Sequence, residues 1–106
     1  MLEDQTTIAK AIDQISDLAG KKDAKSANQL NRWVAAKEDH ASKIQKIIAE
    51  YFLTQRIKPS SEKYGALLKG AHSVMVAAMK CKQGADTQTA DTLKSAIKSF
   101  QQVYEK

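Results

Sequence analysis

Apolar residues recur along this chain at intervals of three and four positions, the spacing that places them on one face of an α-helix. The segment from Thr6 to Ala19 is a clear example, with the row Ile8, Ile12, Ile15 and Ala19. No segment alternates between apolar and polar residues with a period of two, and no Asn-Gly or Asp-Gly pair signals a hairpin. The pattern therefore predicts an all-α fold.

The second segment, from Asp23 to about Arg56, contains neither Gly nor Pro. Its row steps by four and three residues and comprises Leu30, Val34, Lys37, Ala41, Ile44, Ile48 and Tyr51. At about 1.5 Å per residue, an unbroken helix here would be about 50 Å long, which is long for so small a domain. Two alternatives stay open: one long helix, or a helix kinked near residues 37–42, where Asp39 could cap a new start.

Helix-breaking residues mark where the periodic segments end. Gly20 suits the left-handed conformation that ends many helices. Gly84 ends the third periodic segment, whose apolar residues run from Tyr64 to Cys81. Pro59 disfavours helix at the preceding residue, and one of the two serines after it can cap the third helix. Asp4 or a neighbouring threonine is expected to cap the first helix, and Asp86 or Thr87 to begin the fourth.

Short connections at 20–22, 57–61 and 83–86 favour antiparallel packing of consecutive helices. We therefore predict a single domain, residues 1–106, folded as a small antiparallel, up-and-down bundle of four helices. The third helix is rich in Gly and Ala between residues 64 and 78, so a neighbouring backbone could approach it closely. We expect this approach to be internal, with a homo-oligomer through residues 64–78 as the alternative.

Composition narrows the class of protein. The 106 residues are 42% hydrophobic, which argues against disorder, and the net charge of +5 is far from that of histones or ribosomal proteins. No apolar run approaches the roughly 20 residues of a membrane span. The only cysteine, Cys81, excludes an intrachain disulfide, and residues 1–4 are acidic and do not resemble a secretion signal. A cytoplasmic location is therefore expected.

The excess of positive charge lies in the central part of the chain. On a continuous second helix, five basic side chains fall within about 60° of one line opposite the apolar row: Lys21, Lys25, Arg32, Lys43 and Lys46. Asp39 and Glu50 interrupt this face. Tyr51 and Phe52 diverge by about 100° on a helix, so one of them is expected to lie outside the core. These residues predict a surface for an acidic protein partner, with Trp33 or Tyr51 as an aromatic anchor.

No motif for catalysis, metal binding or cofactor binding was found. The metal-binding motifs Glu-x-x-His and His-Glu-x-x-His are both absent. Cys81 lies on the same helix face as the apolar residues Val74 and Ala78, so its side chain is expected to be buried. The prediction is therefore a non-enzymatic adaptor or regulatory module with no cofactor and no metal.

Two alternatives come from other classes. A basic surface suits non-specific nucleic-acid binding, although only Arg32 and Arg56 could make arginine contacts to bases. The chain also resembles histidine-phosphotransfer domains in its size and expected bundle. In those domains the acceptor histidine is usually followed by Lys three residues on and Gly four on. His40 has Lys43 but Ile44 in these positions, so the resemblance is half satisfied.

Overall fold

The computed structural model describes residues 1–105, which form helices joined by turns, with no strand among them. The helices are α1 (Leu2–Leu18), α2 (Ala24–Lys46), α3 (Tyr64–Gln83) and α4 (Thr87–Glu105), and α2 continues into a π-helical segment, Ile47–Arg56. Helix α1 packs on α2 and α4, and α3 likewise packs on α2 and α4, so the four helices close into a bundle about 57 Å long. The predicted all-α bundle of four helices is confirmed.

The second helix is continuous from Ala24 to Arg56 and does not break near residues 37–42. Asp39 lies inside it and caps nothing. The irregularity comes later, where the hydrogen bonds change from the α to the π pattern at Ile47. At the end of this segment, the amide of Ile57 donates to the carbonyl oxygen of Phe52, five residues earlier, at 2.8 Å.

The π segment decides which aromatic side chain enters the core. At 100° per residue, an α-helix would carry Tyr51 and Gln55 on the face of Ile44 and Ile48. A π-helix has more residues per turn, so Phe52 turns inward instead and Tyr51 is 46% exposed. The prediction that Tyr51 continues the buried row is therefore wrong, and the expectation that one of the two aromatics lies outside is confirmed.

Apolar residues from all four helices meet in one core. Phe52 contacts the rings of Phe100 and Tyr104 edge-on, with centroids 5.0 and 5.1 Å apart. Helices α3 and α4 approach closely at Gly70, where an added Cβ would lie 3.1 Å from the Phe100 ring. At Gly65 an added Cβ would meet nothing within 4 Å. The close approach expected for α3 is therefore internal at Gly70.

Two side chains cap helix starts. A carboxylate oxygen of Asp23 accepts from the amide of Ser26 at 3.0 Å, and one of Asp86 accepts from Gln88 at 2.9 Å. The Asp23 pKa is lowered chiefly by that bond. The hydroxyl oxygen of Ser61 accepts from the amide of Lys63 at 3.1 Å. Lys63 precedes the first residue of α3, and α3 has no side-chain cap, so the prediction that a serine after Pro59 caps the third helix is wrong.

Two further local predictions about helix ends are wrong. Helix α1 begins at Leu2 with no side-chain cap, so Asp4 lies within its first turn rather than at its cap. No residue that the structure describes has a positive φ, so Gly20 does not adopt the left-handed conformation; instead the right-handed Ala19 ends the helix. Gly84 does follow the end of α3, in an extended conformation open to any residue.

The end of α3 is held by a buried lysine from α2. Lys37 is 4% exposed, and its Nζ donates to the carbonyl oxygen of Lys82 at 3.3 Å and to that of Gly84. The last carbonyls of a helix lack partners within the helix and carry a partial negative charge, so an ammonium group stabilises them. The two bonds join α2 to the last turn of α3 and to the connection between α3 and α4.

Candidate functional site

The N-terminal turn of α1 meets α2 through an acid–histidine pair. Nδ1 of His40 lies 2.8 Å from a carboxylate oxygen of Asp4, and the two side chains are 26% and 17% exposed. No other salt bridge occurs between the side chains of residues 1–105. The contact fixes one ring nitrogen of His40 and leaves Nε2 as its free polar atom.

A shallow groove of about 360 Å³ lies beside this pair. It runs between the start of α1 and the junction of α2 with the π segment, and its lining includes Asp4, Lys43, Lys46, Glu50 and Tyr51. The structure thus brings together three of the predicted partner-binding residues. The two lysines face two carboxylates there, so the groove is balanced in charge rather than strongly basic.

The other predicted partner-binding residues lie elsewhere along α2. Arg32 and Trp33 border a second, smaller hollow, where Nζ of Lys10 sits 5.6 Å from the centre of the Trp33 ring. Lys21 lies in the turn before α2, and Lys25 in its first helical turn. Lys25 and Lys46 are about 30 Å apart along the helix. The seven residues therefore form no single site, and their role in partner binding stays a prediction.

Cys81 is fully buried, as expected from its phase in α3. Its Sγ–H donates to the carbonyl oxygen of Thr89 at 3.4 Å. Burial raises the pKa of the thiol, so the reactive thiolate is disfavoured. His72, the other histidine, lies on the exposed side of α3. Across residues 1–105, no three His, Cys, Asp or Glu side chains come together as a metal site would require.

No sequence pattern indicates the Asp4–His40 pair, because its members are 36 residues apart and Asp4 suits a helix cap equally well. The same holds for Arg56, whose Nε donates to the Tyr104 hydroxyl at 3.0 Å. Both contacts depend on how the helices pack.

Within the described residues, no helix is long and apolar enough to cross a membrane.

A family model described as nickel-containing superoxide dismutase matches residues 1–106. No curated protein and no solved structure matches the chain significantly. The family is one of enzymes, so the prediction of a non-enzymatic adaptor is wrong, and so are the nucleic-acid and histidine-phosphotransfer alternatives. The adaptor prediction depended on the absence of acid–base, nucleophile and metal motifs, which is weak evidence about a redox enzyme. Because the match spans all four helices, the chain belongs to the nickel-containing superoxide dismutase family.

Proposed function

We propose that this chain acts in the disproportionation of superoxide, as the helical bundle of a nickel enzyme. The observation that carries the proposal is the family match over residues 1–106. In the overall reaction, two superoxide anions and two protons give one dioxygen and one hydrogen peroxide. One superoxide loses an electron and the other gains one, so the reaction needs a redox group that nickel supplies when bound.

The described residues do not fit a nickel ion. Thiolate, imidazole and other nitrogen donors are the ligands suited to nickel, and a site needs several of them together. The single thiol of residues 1–105 is buried, and burial raises its pKa and so disfavours the thiolate that a metal needs. No group of three His, Cys, Asp or Glu side chains exists among these residues. We therefore assign no step of the reaction to a metal held inside this bundle.

The bundle's contribution to the reaction is then structural and electrostatic. Superoxide is an anion, and a protein with a net charge of +5 attracts anions over distances of about a Debye length, roughly 8 Å at physiological salt. Lys43 and Lys46 are exposed, but Asp4 and Glu50 balance their charge locally, so the attraction comes from the net charge of the chain rather than from this groove. Raising the salt concentration is expected to slow the capture of superoxide.

The test uses the protein that carries this chain, isolated from its natural cells. We expect nickel to co-purify with it in stoichiometric amount and the protein to accelerate superoxide decay, measured by stopped-flow absorbance. The matched controls are the same protein after nickel removal, and after reloading with zinc, which has no redox chemistry. Decay that is equally fast without nickel, or absent in nickel-containing protein, would refute the proposal.

The lone cysteine and the unpaired surface lysines support two further proposals. The first is a reducing compartment such as the cytoplasm. The second is contact between an acidic protein and the α2 residues named above. Cell fractionation followed by immunodetection tests the first, and cross-linking in intact cells tests the second.

A further inference from the structure

We infer that this bundle folds completely without nickel and holds none, so that the stability of the fold and the loading of the metal are separate properties. The choice of metal rests on the proposed function. The inference itself rests on the donor side chains and on the core.

The thiol is not available as a ligand. Cys81 is 0% exposed and packs in the core, where its Sγ–H is bonded to the carbonyl oxygen of Thr89 at 3.4 Å. A thiol must be deprotonated to bind a metal, and burial opposes that step. Reaching the sulfur would also require the bundle to open, because Cys81 belongs to the buried core.

The two histidines do not make a site either. His40 has one ring nitrogen committed to Asp4 at 2.8 Å, which leaves a single free nitrogen. His72 lies on the exposed side of α3. With no cluster of three donors among residues 1–105, each imidazole could offer at most an isolated contact to a metal.

The core is complete as it stands. Ile12, Ile44, Val74 and Phe100, one from each helix, are all 0% exposed. No buried side-chain nitrogen or oxygen of the described residues lacks a hydrogen-bond partner; Gln5, for example, donates to the carbonyl oxygen of Ala90 at 3.0 Å. Domains that fold only with a metal use it in place of such a core, with their ligands facing inward.

The experiment uses the 106-residue chain, stripped of metal, with far-ultraviolet circular dichroism as the readout. We expect a helical spectrum and one thermal transition at the same Tm in excess nickel chloride and in chelator. A ligand present at 100 times its Kd would raise the Tm of a domain of this size by roughly 10–20 °C. A rise of that size, or a spectrum that becomes helical only with nickel, would overturn the inference.

The single thiol supplies a second readout. In the folded chain we expect Cys81 to be unreactive toward a disulfide reagent with or without nickel, and to react fully in denaturant. A thiol that reacts readily in the stripped chain and is protected by nickel would show that the metal closes the core. These results are independent of the proposed function, which fails only if the natural protein lacks nickel-dependent superoxide decay.

Discussion

The bond network of Lys37 gives a quantitative test of how the bundle is held together. The substitution Lys37→Met keeps the length and apolar stem of the side chain but removes the ammonium group. The carbonyl oxygens of Lys82 and Gly84 then lose a donor from α2. The expected result is a less stable bundle, with the turn between α3 and α4 affected first.

The magnitude follows from two opposing effects. A hydrogen bond to a charged group contributes about 1.5–3 kcal/mol, and Lys37 makes two of them. Against this, a buried ammonium loses hydration at a cost of several kcal/mol, which methionine avoids. We expect a net loss of about 2 kcal/mol in the free energy of unfolding, which corresponds to a fall in Tm of roughly 10 °C for a domain of this size.

Urea unfolding followed by circular dichroism measures this change directly. The matched control is Lys98→Met on the exposed face of α4, which is expected to change the free energy of unfolding by less than about 0.5 kcal/mol. Hydrogen exchange should show faster opening at the end of α3 in the Lys37 variant. If Lys37→Met were as stable as the unmodified chain, or more stable, the bonds to the helix end would not outweigh the desolvation of the ammonium group.

Three further changes test other parts of the fold. Phe52→Ala should lower the free energy of unfolding by about 3 kcal/mol, whereas Tyr51→Ala should change it by less than about 1 kcal/mol; equal losses in urea unfolding would contradict the inward turn of Phe52. Gly65→Ala should stabilise α3 by about 0.5–1 kcal/mol through helix propensity, and Gly70→Ala should gain less or destabilise, because its Cβ would meet a ring at 3.1 Å. The same gain in Tm at both glycines would refute the close approach of α3 and α4. Asp23 has a lowered pKa in the folded chain, so its stabilising effect is present above its unfolded pKa near 3.8 and is lost as the pH falls through its folded pKa. Asp23→Ala should remove this part of the pH dependence of Tm, and an unchanged acid limb would argue against the cap.

The positions of the helices could be predicted from the sequence, because the apolar period stops at the same places where Gly or Pro interrupts the chain. Pro59 and Gly84 stand where the structure ends one helix and begins the next. Gly20 also marks a helix end, but its backbone is right-handed or extended rather than left-handed, since a glycine permits that conformation without requiring it.

The burial of Phe52 in place of Tyr51 could not be predicted from the apolar period. A period of 3.6 residues assumes an α-helix throughout, and the π segment changes the period near its end. Packing of Phe52 on Phe100 and Tyr104 favours that change, and these partners lie about 50 residues away in the chain.

The function was missed for a different reason. A redox metal centre needs a set of metal ligands rather than a nucleophile or a general base. Residues 1–105 bring no three such side chains together, so there was no ligand pattern to detect in them. The family match depends on the whole chain and is independent of any such motif. The sequence thus predicted the bundle well and its enzymatic class wrongly.

The central claim is that this bundle belongs to a nickel-containing superoxide dismutase, and that no donor side chain of the bundle binds the nickel. X-ray absorption at the nickel edge, measured on the natural protein and on its Cys81→Ala, His40→Gln and His72→Gln variants, tests it most directly. We expect a nickel edge in all four samples, with the same near-edge shape and the same scattering from the atoms bound to the metal. A changed ligand signal in any variant, or no nickel in the unmodified protein, would contradict it.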